Sequence, residues 1–544
     1  MGTARGPAAG PSNGRRPRLQ LGRILLNLLD RVLEPFAPGL VVQRLAARFA
    51  IQAYEAAQVT RTHKAKRQSA SADRSLQRDA VSLREQCRKL DEDHDLVTGL
   101  FDRLEERVVG GPGIAVEPLP LTFDGQVHRE FAAQIKALWA EWSLRPEASG
   151  ELTRPQVERL VCRTWLRDGE TLAQKLMGKV ANFEHATAVP FSLELLEPDY
   201  LPFGYTDQSR GITQGIERNE WRQVKAFHLL KRHPGSLLGV GADDVKRVPA
   251  ERMLHIAHRK RIGQNRGVPL LHAVLIRLAD IKDYEESERV AARISAALAM
   301  YIKKGTPDQY SMPQNGQKGA ERTFPIGPGM VIDTLEPGED VGMIESNRPN
   351  PFLEGFRNGQ LRMVAAGTRV GYSSIARDYS GNYSSQRQEL VEAQLGYDQL
   401  QHDFIDYWCR PVYRDWLLMG LTSGAIKPPR DVDPSTLFAA VYQGPVMPWI
   451  NPKQEAEAWE TLVQAGFADE AEVARARQRN PQELKASRTA EVQRNREDGL
   501  VFSSDAYHQY YGKGTGNGQT NEPGANPGAS RRAGSGADPG DGAD

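Results

Sequence analysis

The centre of the chain has two helical stretches on either side of a segment interrupted by glycine and proline. The first begins after Pro269, the second covers about Phe352–Ala366, and residues 305–345 between them carry only short apolar runs. The first stretch has an apolar stripe at Leu271, Val274, Leu275, Leu278, Ile281 and Tyr284, resuming at Val290, Ile294, Leu298 and Tyr301. We therefore predict a helix–insert–helix centre, which offers long edges for contacts with other chains.

The flanking regions predict an α+β fold. Residues 153–268 alternate short β-type pieces with turns, which favours antiparallel strands. The clearest pieces are Phe191–Leu196, Val224–Leu229 and Met253–Ile256. Residues 367–385 are rich in Gly, Ser and Tyr and are predicted to be a loop. Gln386–Trp408 is predicted to be a strong helix, which Pro411 kinks or ends.

Composition restricts the function classes. The chain has 70 Lys and Arg against 69 Asp and Glu, a net charge of +1, which is unlike a protein that coats DNA without sequence preference. Its three cysteines, Cys87, Cys162 and Cys409, lie far apart and form no zinc or disulfide pattern, so a reducing compartment is expected. No apolar run reaches the length of a membrane span. We expect a soluble protein without a membrane segment.

No motif of an enzyme stands out. A phosphate-binding GxxxxGK[ST] loop is absent from the sequence, and the glycine spacing at 512–518 lies in a Gly-rich tail. His255 and His258 could place two metal ligands together, or could be structural histidines. The acidic run Asp280–Glu288 could bind a metal, or could be a hydrated helix face or a subunit contact. We expect no catalytic residues, no metal and no cofactor.

One basic cluster remains, between residues 252 and 266. Its candidate phosphate-contact residues are Arg259, Lys260, Arg261 and Arg266. Such a patch could meet the phosphate backbone of a nucleic acid, or could pair with acids of a neighbouring chain. Composition does not separate these two interpretations.

Five segments in order carry a family resemblance. They are Arg163–Glu170 (RTWLRDGE), Leu195–Asp199 (LLEPD), Met253–Pro269 with MLHI and GQNRGVP, Asp378–Arg387 (DYSGNYSSQR) and Pro448–Ala456 (PWINPKQEA). The set resembles the portal proteins of tailed bacteriophages, in particular the lambda-like portal family. Asn451 stands where that family usually has Asp, and Gln454 adds a residue within the last motif.

The resemblance implies a ring, typically dodecameric, at the unique vertex of the capsid. Double-stranded DNA passes through its channel during packaging and ejection, and the ring itself hydrolyses nothing. The implied partners are the large terminase subunit, head-completion or adaptor proteins that form the head-tail connection, and the major capsid and scaffold proteins. The implied location is the virion, with the host cytoplasm during assembly. A DNA-processing enzyme and a non-portal minor capsid protein are the competing hypotheses.

The portal fold has wing, stem, clip and crown regions, and the resemblance predicts their bounds here. They are a disordered arm at 1–18, the wing at 19–268, the first stem helix at 269–304, the clip at 305–346, the second stem helix at 347–367, a channel loop at 368–387, a long helix with the remaining wing at 388–452, the crown at 453–511 and a disordered tail at 512–544.

The predicted channel loop has a mixed, hydroxyl-rich composition. Its candidate DNA-facing residues are Arg369, Tyr372, Arg377, Tyr379, Tyr383 and Arg387. Near-neutral charge suits a conduit, because a ring repeats every channel charge and a strongly basic ring would hold DNA instead of letting it slide. Alternatively, the tyrosines pack the loop against neighbouring subunits.

Overall fold

The computed structural model describes residues 70–236, 244–297, 301–304, 339–342, 350, 352–447, 451–477, 479–500 and 502. The predicted arm, the wing residues before 70, most of the predicted clip and the predicted tail lie outside these residues. Among the described residues, no helix is both long enough and apolar enough to cross a membrane.

The first part of the described chain is mainly helical. It contains α1 (Ala72–Asp93), α2 (Asp95–Val108), β1 (Ala115–Pro118), α3 (Arg129–Trp142) and α4 (Arg154–Asp168). Helix α4 begins at a capping box, in which Thr153 and Gln156 satisfy each other's backbone N–H groups. It ends at Gly169, whose φ of 86° is left-handed, and the next strand begins one residue later.

Two antiparallel sheets follow. Their strands are β2 (Glu170–Met177), β3 (Phe191–Leu196), β4 (Ile212–Thr213), β5 (Ile216–Arg218), β6 (Val224–Leu230), β7 (Val245–Pro249) and β8 (Met253–Ala257). The first sheet has the order β3-β2-β8, with Leu172 opposite Leu196 on one side and His255 on the other. The second has the order β4-β5-β6-β7. A small apolar core that includes Leu172, Phe227 and Met253 joins them.

The centre has the predicted helix–insert–helix order. A 3₁₀ turn at Leu270–Ala273 leads into α5 (Leu275–Ala297), β9 (Tyr301–Lys304) pairs antiparallel with β10 (Glu339–Gly342), and α6 (Leu353–Thr368) follows. Helix α5 contacts α6 through an ion pair of Glu285 with Arg357 at 2.6 Å.

The last part is again helical. It contains α7 (Tyr372–Ala376), α8 (Tyr383–Phe404), a π-helical turn (Ile405–Cys409), α9 (Arg410–Ser423), β11 (Ala440–Gln443), α10 (Pro452–Gln464), α11 (Glu470–Ala476) and α12 (Pro481–Glu497). Strand β11 returns to pair with β1, with Val116 opposite Tyr442. The main core contains a cluster of aromatic rings, in which Trp139 stacks on Trp142 at 4.7 Å and meets Trp416 edge-on at 4.9 Å.

The structure corrects three details of the predicted elements. The apolar stripe is buried only as far as Ile281, whereas Val290 is 44% exposed and Tyr301 belongs to a strand. The region predicted as one loop contains α7 and the start of α8, because the Asn382 side chain accepts from the N–H of Ser385 and caps that helix earlier than expected. Of the two alternatives predicted for Pro411, an end of the helical run is wrong, because Pro411 lies in the first turn of α9 directly after the π-helical turn.

Candidate nucleic-acid interface

A buried carboxylate, Glu170, stands at the junction of α4 and β2. Its Oε1 accepts from Arg266 Nη2 at 2.6 Å and from Arg84 Nη2 at 3.0 Å, and its Oε2 accepts from the N–H of Gly267 at 3.1 Å. His255 Nε2 lies 3.0 Å from Oε2. The side chains of Glu170 and Arg266 are both 0% exposed. Two guanidinium groups and one carboxylate therefore share a site without water contact.

The ionisation of Glu170 follows from these neighbours. Burial by itself raises the pKa of a carboxyl, but Arg266 and His255 outweigh burial and hold the pKa of Glu170 well below its usual value. Burial lowers the pKa of His255, which opposes protonation of the imidazole. The cluster thus contains an ionised carboxylate.

The charged cluster extends along α1 and α4. Arg88 Nη2 donates to Asp168 at 2.7 Å and to Asp199 at 2.5 Å, and Arg163 binds Asp91 at 2.5 Å. Three of the sequence segments that carry the family resemblance contribute to it, namely those at 163–170, 195–199 and 253–269. The charged residues of these three segments meet one another inside the protein. This explains why segments that contribute apolar residues to the core also carry charges.

Close backbone packing accompanies this cluster. A Cβ at Gly267 would overlap the carbonyl oxygen of Gly169, and a Cβ at Gly169 would overlap the backbone of Val268. Neither position has room for a side chain, so both require glycine. Gly169 also requires glycine because its φ is positive.

Replacing Gly267 with Ala is expected to lower the free energy of unfolding by about 1–3 kcal/mol, since the new methyl group must push the loop that carries Arg266 away from the start of β2, which carries Glu170. Chemical denaturation followed by tryptophan fluorescence measures the change. Gly204→Ala is the matched control, because no atom lies within 4 Å of the added Cβ. Equal stability of both variants would contradict the packing argument.

The cluster corrects the predicted basic patch. Arg266 is not a surface residue; it is fully buried and paired with Glu170. Arg259, Lys260 and Arg261 are exposed, as a patch requires. The sequence did not reveal this difference, because Glu170, the partner of Arg266, lies in β2, far away along the chain. The role of the three exposed residues toward phosphate stays a prediction.

A second feature is the corner between α6 and α8, where the predicted channel residues lie. Arg369 ends α6 with φ 64° and Arg377 ends α7 with φ 53°, left-handed conformations that usually favour glycine. Both side chains are exposed, as are Tyr379, Tyr383 and Arg387.

Tyr372 differs from these exposed residues. Its ring is half-buried beneath the guanidinium of Arg362, whose carbon lies 5.3 Å from the ring centroid, and its hydroxyl donates to Asp378 at 3.3 Å. The structure thus brings five of the six predicted residues to the surface of one corner. Whether this corner faces a channel stays a prediction.

Three residues that hold this corner were not identified from the sequence. Glu389 accepts from the N–H of Ser373 at 2.7 Å and also from its hydroxyl. Gln399 accepts from Arg369 Nη1 at 2.7 Å. Asn382 caps α8, and the Asn before Tyr-Ser-Ser was the one available sequence signal. The bonds of Glu389 attach α7 to α8, and the bond of Gln399 attaches the end of α6 to α8.

The two groups that the sequence offered as possible metal ligands, His255 with His258 and the acidic run Asp280–Glu288, have other surroundings in the described part of the chain. His255 is bonded to Glu170, and His258 lies 3.1 Å from the carbonyl oxygen of Val268 through Nδ1. In the acidic run 280–288, which lies within the described residues, no three carboxylates come close enough to share a metal ion. The described group whose ligand atoms all lie within 4.8 Å of one another consists of Glu197, Asp199 and His233. The carboxylate of Asp199 already accepts from two arginines, so this group suits a cation poorly.

Comparison with known proteins gives the class. The family model for phage portal proteins of the lambda family matches residues 58–401, which include both the buried cluster and the corner. The chain belongs to the lambda family of phage portal proteins. A probable portal protein of Halomonas phage phiHAP-1 is 23% identical over 445 residues, which cover 79% of this chain and 83% of the relative.

Solved structures with some likeness come from gene transfer agent particles. The neck of an empty particle, computed with C6 symmetry, is 13% identical with a TM-score of 0.43, covering 73% of this chain and 92% of that chain. The virion of the native particle is 16% identical with a TM-score of 0.39 at the same coverage.

Proposed function

We propose that this portal protein forms the ring-shaped DNA conduit at the unique capsid vertex, through which the genome is packaged and ejected. Membership of the lambda portal family is the observation that carries the proposal. The α5 and α6 pair corresponds to the proposed stem, and the exposed corner at Arg369–Arg387 corresponds to the proposed channel loop. Its exposed arginines and tyrosines give a surface that can meet phosphate without a dense positive charge.

The proposed partners follow from this role. The ring would receive the large terminase subunit during packaging and head-completion or adaptor proteins afterwards, within a shell made by major capsid and scaffold proteins. Its place would be the virion, after assembly in the host cytoplasm. The portal family is structural, and the proposed role includes no hydrolysis by this chain. Magnesium-dependent cleavage of DNA by the purified protein would instead favour the DNA-processing enzyme.

Ring assembly is the first test. A subunit that repeats one heterologous contact must either close into a ring or continue as a filament. Native mass spectrometry of the full-length protein is expected to show one large discrete oligomer, with the dodecamer favoured, and negative-stain microscopy should show rings. Monomers and dimers alone, over a range of salt and protein concentration, would contradict the proposal and favour a non-portal capsid protein.

A further inference from the structure

The last three helices, α10, α11 and α12, have almost no core of their own. In these fully described helices, α10 buries no residue, α11 buries Ala474 alone and α12 buries Pro481 alone. Short isolated helices are marginally stable in water, and most of the stability of a helix in a protein comes from packing of its apolar face. The three helices therefore leave apolar surface for a partner to cover.

A groove of about 820 Å³ lies between these helices. All three contribute to its apolar walls, which are Trp459 and Val463 of α10, Val473 of α11 and Leu484 of α12. Leu484 is 43% exposed although it lines this apolar groove. The groove is thus open to solvent and can take a large apolar side chain from outside.

An exposed phenylalanine stands at the end of α10. The N–H of Gly466, a residue with φ 76°, donates to the carbonyl of Val463 at 3.1 Å, and the N–H of Phe467 donates to that of Leu462 at 2.9 Å. These two bonds form a Schellman motif, which fixes the backbone of Phe467. Phe467 is nevertheless 82% exposed, and Leu462 is 40% exposed. A large aromatic side chain on a fixed backbone is suited to anchor a protein interface, because little freedom is lost on binding.

The corner at Phe467 and the groove carry opposite charge. Residues 467–472, which begin at this phenylalanine, contain three acids and no basic residue. The groove is lined by two acids, Glu460 and Glu470, and by four basic residues, Arg477, Arg479, Lys485 and Arg488. Glu470 belongs to both sets and pairs with Lys485 of its own chain at 3.4 Å. An acidic corner with an apolar anchor therefore matches a basic groove with apolar walls.

We infer that the groove between α10, α11 and α12 binds Phe467 and Leu462 of a neighbouring copy of this chain. The inference rests on the proposed ring and names one of its subunit contacts. A corner that enters the groove of the next copy is a heterologous contact, which is the kind that a closed ring repeats. Each chain carries both halves of the contact, and its own corner stays exposed, so every copy can offer a corner on one side and a groove on the other.

Paired cysteines test this contact in the full-length protein. The double variant Phe467→Cys with Leu484→Cys places one thiol on the corner and one in the groove, and the three native cysteines are buried. After treatment of intact rings with a short bis-maleimide, denaturing electrophoresis is expected to show a ladder of cross-linked subunits. Trp221→Cys with Leu484→Cys is the matched control, because Trp221 is 86% exposed but lies in the turn before β6. The control should give no ladder.

Should the double variant fail to form rings, Leu462→Cys with Lys485→Cys replaces it and leaves Phe467 and Leu484 in place. Rings of either double variant that stay monomeric on the denaturing gel would overturn the contact and leave the groove to a different protein. Failure of the portal proposal would appear separately, as the absence of wild-type rings in native mass spectrometry.

The single variants distinguish a heterologous contact from a two-fold one. Phe467→Cys alone and Leu484→Cys alone should each stay monomeric on the gel, since neither chain then carries both thiols. When the two are produced together, mixed rings should give cross-linked dimers and nothing larger, because each joined pair has no further thiol to offer. Cross-linked dimers from one single variant alone would indicate a two-fold contact and would overturn the proposed arrangement.

The contribution of the anchor is measured with Phe467→Ala. Removing an aromatic anchor from a subunit contact should raise the protein concentration at which half of the rings dissociate by about tenfold. Native mass spectrometry over a dilution series gives this concentration. Trp221→Ala removes an equally exposed aromatic ring outside the contact and should leave it unchanged. Equal values for the wild type and Phe467→Ala would overturn the anchor role of Phe467.

Discussion

Replacing Glu170 with Gln is expected to lower the free energy of unfolding by about 3–5 kcal/mol, the largest stability effect we expect from a single side chain. The change removes one charge and leaves Arg266 at 0% and Arg84 at 3% side-chain exposure without the carboxylate that compensates them. Denaturant unfolding followed by tryptophan fluorescence, at a pH above 6, measures the loss.

The control for this change is Glu147→Gln. Glu147 is also buried, but its carboxylate accepts from the N–H groups of Ser149, Glu151 and Leu152 and from a hydroxyl, rather than from arginines. We expect it to cost clearly less. In the double variant Glu170→Leu with Arg266→Met, which removes the two fully buried charges and leaves Arg84 paired with Asp199, part of the loss should be recovered. A double variant as unstable as the sum of its single changes would contradict the pairing argument.

Lowering the pH should destabilise the folded protein through the same buried cluster. Because the pKa of Glu170 lies well below its ordinary value of 4.5, the folded state binds this proton less readily than the unfolded state. The stabilisation is present above about pH 4.5 and is lost as the pH falls toward the folded pKa. The lowered pKa of His255 acts in the same direction from its ordinary value of 6.5 downward. The Glu170→Gln variant should show a weaker decline below pH 4.5 than the wild type.

Reversing the charge of Arg369 and Arg377 should have the largest effect on function. With Glu at both positions, rings should still assemble, because both side chains are exposed and both residues already occupy left-handed conformations that Arg and Glu tolerate about equally. In a conduit, carboxylates would face the DNA phosphates. Repulsion at close range is of order a few kcal/mol per pair at an effective dielectric near 20, and the ring repeats it.

Packaged DNA length in particles that carry the double variant is the measurement. We expect a sharp fall or early release of DNA. Arg369→Lys with Arg377→Lys keeps the charge and should package close to normal length. Full-length DNA in particles with intact Glu-bearing rings would remove these arginines from the channel and leave them with a structural role.

The sequence predicted the helices and strands where periodicity is strong. The stripe from Leu271 to Ile281 is buried as predicted, and Phe191–Leu196 is a strand. The sequence analysis did not predict that Asn382 caps a helix, and α8 therefore begins inside the predicted loop. The order of motifs predicted the portal family, which the match over residues 58–401 confirms. These inferences depend on neighbours within a few residues and on their order along the chain.

Side-chain partners depend on the tertiary structure. In the sequence, the four basic residues Arg259, Lys260, Arg261 and Arg266 cannot be told apart. In the structure, β2 lies beside β8, and Glu170 of β2 pairs with Arg266. The other three residues are exposed. Likewise, the end of α6 packs at Gly367 against Val274, which follows the turn at Leu270–Ala273, and these two residues are distant along the chain. The sequence by itself determined the elements and the family, because periodicity and motif order are local properties. Only the tertiary structure decided which charges are neutralised inside the protein and which lie at the surface, because strand pairing and helix packing join residues that are distant along the chain.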